Sequence, residues 1–244
     1  MDFDQAEFDI RCEWGAHGVA QLAPISDVVI IVDILSFSTC IEIATHQGAI
    51  VFPYGWKDDS AQAFARTIGA ELATKRSHSG YSLSPTALQT IPAGTRLVLP
   101  SANGSPLSLA AQPSPTLAGC FRNCQAIAQA AMTYGSRIAV IPAGERWPDG
   151  SLRPSLEDWL GAGAIISYLQ GQLSPEAQAA MLAYQGVQPN LKALIQRCSS
   201  GKELIVRDFP QDVALSAELN VSTTVPTLID RAFIHRSFSD GSWV

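Results

Sequence analysis

Charge is scarce in this chain: Asp, Glu, Lys and Arg together supply 16% of its 244 residues, and the formal net charge is -6. No Lys/Arg cluster or basic stripe with interleaved aromatics occurs. A partner held through a phosphate backbone needs such a stripe, so nucleic acid is set aside and a small molecule is the expected ligand. Long apolar runs are missing too, none approaching the roughly 20 residues of a membrane span. Met1-Asp2-Phe3-Asp4 is acidic where a secretory signal is basic, so the expectation is a cytoplasmic protein with no membrane partner. Cysteine is sparse and unpaired. Cys12, Cys40, Cys120, Cys124 and Cys198 form no Cys-x-x-Cys and have no neighbouring His to complete a zinc set, so free thiols are expected.

Several standard motifs are absent as well. No Gly-x-Gly-x-x-Gly follows the first strong strand, which removes a dinucleotide site. Around Gly201-Lys202, Gln196 stands where a phosphate loop has its first Gly, and Glu203 where it has Ser or Thr. There is no His-Glu-x-x-His and no Gly-x-Ser-x-Gly, and His17, His46, His78 and His235 lack ligand spacing. Zinc and serine hydrolysis both lose ground.

What is present is apolar sequence, 47% hydrophobic, enough to bury a sizeable core in one domain over 1–244, with two similar lobes (about 1–95 and 96–244) as its expected organisation. Val28 to Val32 is an unbroken β-branched run that reads as a strand buried on both faces. A helix is expected from Phe37 to His46 and a strand from Ile50 to Phe52. A helix opening at Lys57-Asp58-Asp59 follows, then a weak strand from Glu71 to Thr74. Arg76 to Pro92 reads as an ordered surface loop. The alternation resumes with strands at Arg96–Pro100, Thr116–Ala118 and Arg137–Ile141, separated by helices at Ser105–Ala111 and Gln125–Tyr134. After Ser155 helices are expected at Glu157–Leu169, Pro175–Tyr184, Pro189–Cys198 and Gln211–Leu219, with a closing hairpin of Val225–Ile229 and Ala232–His235. The fold class is α/β, a three-layer α/β/α unit around a largely parallel or mixed sheet.

In open α/β sheets ligands gather beyond the carboxyl ends of strands. Here those ends carry Asp33 to Thr39, Ser101 to Ser105, Gly119 to Asn123 and Ala143 to Arg146. Each precedes a helix, a setting that suits phosphate. Carboxylates with few His or Cys beside them suit a hard cation such as Mg²⁺. Asp33, fixed after five apolar residues, is the first candidate ligand. Glu157 either ligates the metal or acts as base, while Ser155 and Asp158 read as a capping box for the helix they open. Ser36, Ser38 and Thr39 either cap their helix or meet the ligand, and Asn103-Gly104 is either a plain turn or an anion contact. Arg76, Arg122 and Arg146 are anion clamps or surface ion pairs.

Taken in order, Asp33-Ile34-Leu35 with Ser38-Thr39, Ser84-Pro85, Asn103-Gly104-Ser105, Asn123, and Ser155-Leu156-Glu157-Asp158 with Gly161-Ala162-Gly163 resemble the 2-phosphosulfolactate phosphatases. The resemblance implies a Mg²⁺-dependent phosphatase releasing phosphate from (2R)-phosphosulfolactate on the route to coenzyme M; a homodimer is the expected assembly, dimers being the commonest for such enzymes. The residue reading makes Asp33 and Glu157 the expected metal ligands and Asp33, Glu157 and Arg146 the expected catalytic residues. Substrate binding falls to Ser36, Ser38, Thr39, Arg76, Ser84, Asn103, Gly104, Ser105, Arg122, Asn123 and Glu145. Ser36 stands where the family commonly has Arg, leaving Arg146 and Arg153 as this chain's own candidates for holding a sulfonated or otherwise anionic acid. Two other readings stay open: a noncatalytic binder of small anions, and a hydrolase using the thiol of Cys40 or Cys120.

Overall fold

The computed structural model describes residues 4–55, 59–77, 80–236, 238–239 and 242–243. Lys57 and Asp58, expected to open a helix, lie outside them, as does His78 in the loop that follows. The first half runs β1 (Ile10–Cys12), α1 (Gly15–Leu22), β2 (Val28–Val32), α2 (Phe37–His46), β3 (Ile50–Tyr54), α3 (Asp59–Thr67), β4 (Glu71–Leu72) and α4 (Pro85–Leu88). Then come β5 (Arg96–Pro100), α5 (Gly104–Ala110), β6 (Thr116–Gly119), α6 (Cys124–Ala131), β7 (Ile138–Pro142) and the small hairpin β8 (Glu145–Arg146) and β9 (Leu152–Arg153). The helical stretch is α7 (Leu156–Ile166), α8 (Pro175–Val187), α9 (Leu191–Arg197), α10 (Ser199–Val206) and α11 (Pro210–Ser216), closed by β10 (Pro226–Ile229) and β11 (Ala232–His235).

Among the described residues, nine strands form one sheet in the order β1-β7-β2-β6-β10-β11-β3-β5-β4. The β2 group pairs in parallel, as does β3-β5-β4. The C-terminal hairpin joins the groups through antiparallel pairings on each side. Three reversals in a row give the second group the opposite sense, so the sheet is mixed. Strands from 1–95 and 96–244 interleave: β2 lies between β6 and β7, and β3 beside β5.

Alternation along the strands builds the three layers. Val28, Ile30 and Val32 pack with α6 and α7, while Val29 and Ile31 face α1 and α5. In the second group Val51 packs under α2 and Phe52 under α3. Because β2 is fully buried on both faces, its sequence has no polar positions, which is why an unbroken run marked it. Helix α7 is apolar almost all round because it lies between the sheet and α8. At Gly163 a Cβ would come within 2.1 Å of Ala180 O, so this residue permits the close approach of the two helices.

Several elements differ from the sequence expectation, among them the β8-β9 hairpin, which stands after Ala143 where a helix was expected to follow directly. Strand β1 and helix α1 were not anticipated; three residues carry too little alternation to read, although Ile10 to Cys12 pair in register with Ile138 to Val140. The 76–92 loop contains the single turn α4. Helix α10 follows α9 after one residue because Cys198 leaves the helical region (ψ 165) and its Sγ accepts the Gly201 N–H at 3.3 Å. A thiol is an unusual cap, and the cap position itself holds none of Ser, Thr, Asp or Asn.

Candidate active site

The chain leaves β2 at Val32 and turns through Asp33 into α2. Asp33 is 6% exposed. Its Oδ1 accepts the Phe37 N–H at 3.1 Å and its Oδ2 the Gly104 N–H at 3.0 Å, so one carboxylate ties the loop after β2 to the loop after β5. Glycine is required at 104 because a Cβ would lie 2.1 Å from Phe37 Cδ1 and 2.8 Å from Asp33 Oδ2. Behind Asp33, Ser38 Oγ donates to Ile31 O and accepts the Asp33 N–H, both at 3.0 Å. Ser38 therefore fixes the strand tip.

Asp158 differs from its expected part in a capping box. Ser155 makes no side-chain cap bond, and its Oγ is buried without a partner. Asp158 instead reaches off α7 to accept the Ile34 N–H at 2.8 Å and the Gly144 N–H at 2.9 Å. Both amides sit just past strand ends with no ladder partner, and two fixed donors outbid the single bond a cap offers a buried carboxylate. Asp158 thereby clamps the loop after β2 to the loop after β7.

These buried acids act on one another. Burial pushes the Asp33 carboxyl up to about 7, with the like charges of Glu145 and Glu157 adding to the rise and the Phe37 and Gly104 amides opposing it. Burial, then Asp33 and Glu157, pushes Asp158 well above the usual carboxylate range. Glu145, partly buried at the start of β8, is also raised, chiefly by burial, while its bond to the Asn103 side chain and the Arg153 charge resist. Arg153 stands opposite Glu145 across the hairpin and donates to Ser200 Oγ at 3.2 Å. Glu157 is 3% exposed, and its charge helps to raise the Cys198 thiol, which donates to Ile195 O at 3.1 Å.

Cavities adjoin this cluster. One of about 380 Å³ is lined by Asn103, Pro106, Glu145, Arg146 and Leu152 among others; Arg146 also lines a neighbouring cavity with Ser101 and Ala102. Arg146 is exposed, and Nη1 donates to Gly150 O at 3.2 Å.

The structure thus brings Asp33, Asn103, Gly104, Glu145 and Glu157 together, with Arg146 on the adjoining cavity wall. Arg76 reaches the edge of this group, its Nη2 donating to Ser36 Oγ at 3.0 Å while Nη1 pairs with Asp212. Ser84 Oγ donates to the same Asp212 at 2.7 Å. Other candidates spend their polar atoms elsewhere. Thr39 Oγ1 donates to Ile34 O and Ser105 Oγ to Leu99 O. Asn123 accepts the Cys120 N–H and donates to Thr224 O. Arg122 is committed to Glu42 (2.6 Å) and Glu218. The five thiols are free and buried, and burial raises both Cys40 and Cys120, the wrong direction for a nucleophilic thiolate. Asp212, Ser200 and Cys198 carried no sequence signal, since each reads locally as an ordinary residue near a helix start.

A hard cation suits this donor set in kind: oxygen ligands only, buried, and repelling one another. Among the described residues no three His, Cys, Asp or Glu side chains gather closely enough to hold an ion by themselves. What fits is the mode in which one or two carboxylates share the ion with waters and substrate phosphate, as Mg²⁺ commonly is held.

Comparison with known proteins gives the same family over most of the chain. A family model described as 2-phosphosulpholactate phosphatase matches residues 17–231. A 2-phosphosulfolactate phosphatase of Methanothermobacter thermautotrophicus is 32% identical over 137 residues, 56% of this chain and 58% of that protein. A probable 2-phosphosulfolactate phosphatase of Carboxydothermus hydrogenoformans is 29% identical over 207 residues, 81% of this chain and 84% of its own length. One from Thermotoga petrophila is 26% identical over 229 residues, 89% and 97%. No described helix is long and apolar enough to cross a membrane.

Proposed function

Because the chain belongs to the 2-phosphosulfolactate phosphatase family, we propose that it hydrolyses the phosphate monoester of a small anionic acid, 2-phosphosulfolactate or a close relative, to inorganic phosphate and the hydroxy acid. One observation carries the reading beyond the family: Asp33, tied to the loops after β2 and β5, shares a buried electrostatic cluster with Glu145 and Glu157 beside a cavity. Such a cluster is unfavourable with every acid ionised, and it becomes favourable when positive charge enters.

Asp33 and Glu157 would hold Mg²⁺, which when bound neutralises phosphate oxygens and the charge developing on the leaving oxygen. Asp158, which accepts amides from the loops after β2 and β7, keeps those loops in register. Arg146 would neutralise phosphate charge from the cavity wall. Glu145, whose ionised form burial makes more basic, would take a proton from the attacking water. The water oxygen bonds to phosphorus, the ester P–O bond breaks, and the departing hydroxy-acid oxygen takes up a proton. Cytoplasmic operation and assembly as a homodimer accompany this proposal.

The test is phosphate release from a panel of phosphorylated and sulfonated short acids, with Mg²⁺ and with chelator. Asp33→Asn is expected to lose about a hundredfold or more of the Mg²⁺-dependent rate, the scale of removing one electrostatic stabiliser, with a cooperative unfolding transition retained. An unchanged rate in Asp33→Asn would sink the reading.

A further inference from the structure

A third cavity, about 390 Å³, shares Glu145 with the acid cluster and is lined also by Leu35, Lys75, Arg76, Ser200 and Arg207. Arg207 pairs with Glu203 at 3.0 Å, both side chains more than half exposed, while Arg76 is the buried cation of this wall and Lys75 its exposed neighbour. Arg76 is held from three directions. Its side chain is 9% exposed and ion-paired with Asp212, itself 1% exposed. Nη2 donates to Ser36 Oγ at 3.0 Å, and the guanidinium lies over the Phe209 ring at 5.4 Å. Asp212 is anchored in turn, accepting Ser84 Oγ at 2.7 Å and the Thr86 N–H at 3.1 Å.

We propose that Arg76, set in place by Asp212 and assisted by Lys75, is the specificity-determining residue for a second anionic group on the substrate, a carboxylate or sulfonate on the carbon skeleton away from the phosphate. A guanidinium has five donors in a planar fork, more than the acceptors named here use, and that fork matches two oxygens of a carboxylate or sulfonate. Burial shields it from salt, and its bracing means little freedom is lost when a ligand binds. Ser36 lies three residues past Asp33, so the fork reaches the edge of the phosphate site while Asp212 holds it from α11. Asp212 is a positioning residue: it touches no substrate and acts through Arg76. An ion pair that merely ties α11 to the 73–88 segment would make the same internal contacts but would not distinguish one ligand from another.

This inference rests on the phosphatase reading, and two measurements keep the two separable. Calorimetry on the full chain uses sulfolactate and inorganic phosphate as separate probes. Arg76→Lys is expected to weaken sulfolactate about tenfold or more while phosphate affinity moves less than about threefold, the scale of one charge-assisted contact. In turnover, Arg76→Lys and Asp212→Asn should both lower the kcat/KM ratio of 2-phosphosulfolactate to p-nitrophenyl phosphate about tenfold, through KM more than kcat. Sulfolactate affinity that stays the same in Arg76→Lys, or falls together with phosphate affinity, overturns the assignment. If that variant lacks a cooperative urea transition, Lys75→Ala, an exposed change, should still weaken sulfolactate about two- to fivefold, and an unaltered value overturns it. Wild-type chain that binds sulfolactate through Arg76 but cleaves no ester removes the phosphatase reading and leaves the clamp. Phosphate release with Arg76-independent sulfolactate binding does the reverse.

Discussion

Replacing Gly104 by Ala adds one methyl group and removes no functional atom, yet it should damage both stability and site. The new Cβ would stand 2.1 Å from Phe37 Cδ1, 2.6 Å from Phe37 Cγ and 2.8 Å from Asp33 Oδ2. Phe37 is fully buried and in edge contact with Phe233, ring centroids 6.1 Å apart, so it has nowhere to retreat. Overpacking of this kind costs about 1–3 kcal/mol. If α5 moves away instead, the Gly104 N–H to Asp33 Oδ2 bond of 3.0 Å is lost, a charge-assisted contact of about 1.5–3 kcal/mol. Exchanging Gly for Ala in a helix returns at most about 1 kcal/mol, so the steric effect wins and a net loss of about 1–2 kcal/mol is expected. Urea unfolding reads the stability, and phosphate release reads the site, where a carboxylate displaced by about 1 Å should cost about a hundredfold. A variant within about 0.5 kcal/mol of the wild type and equally active would refute the claim that the close approach of α5 holds Asp33.

Asp158→Ala strips the acceptor from the buried Ile34 and Gly144 amides, each costing about 1–3 kcal/mol when unpaired. The relief of one buried like charge offsets only part of this, so the urea midpoint should fall clearly; an unchanged midpoint contradicts the clamp. Gly163→Ala drives a methyl group into Ala180 O and should cost more than the roughly 1 kcal/mol that helix propensity returns, as thermal unfolding would show. The pH response of metal-free protein follows from Asp33, raised from 3.8 to about 7. Its folded form binds more protons than the unfolded chain between those values, so its contribution to stability is full below about pH 4 and is lost as pH rises through 7. Asp158, also raised, acts in the same direction. The metal-free urea midpoint should therefore drop from pH 5 to pH 8, with Mg²⁺ restoring more at pH 8 than at pH 5. A rising midpoint would overturn the buried-acid account.

Local pattern alone located β2, α2, the β3 and β5 strands and the closing hairpin, because apolar periodicity and the Gly and Pro stops are properties of adjacent residues. It also singled out Asp33, since an acid after five β-branched and aliphatic residues must end up at a strand tip. Pairing is a different matter. That the hairpin β10-β11 enters the middle of the sheet and reverses the sense of β3-β5-β4 depends on which strands meet, and no short segment encodes that. Asp158 was legible as a helix-opening acid but not as a clamp, because its partners Ile34 and Gly144 are brought to it only by the packing of α7 on the sheet. Likewise Asp212 reads as a first-turn acid of α11, and only tertiary contact gives it Arg76, Ser84 and Thr86 as partners. Sequence determined which segments are buried and where polar groups interrupt them. The folded chain decided which of those groups meet, since desolvation and like-charge repulsion act through space and carry no trace in the order of residues.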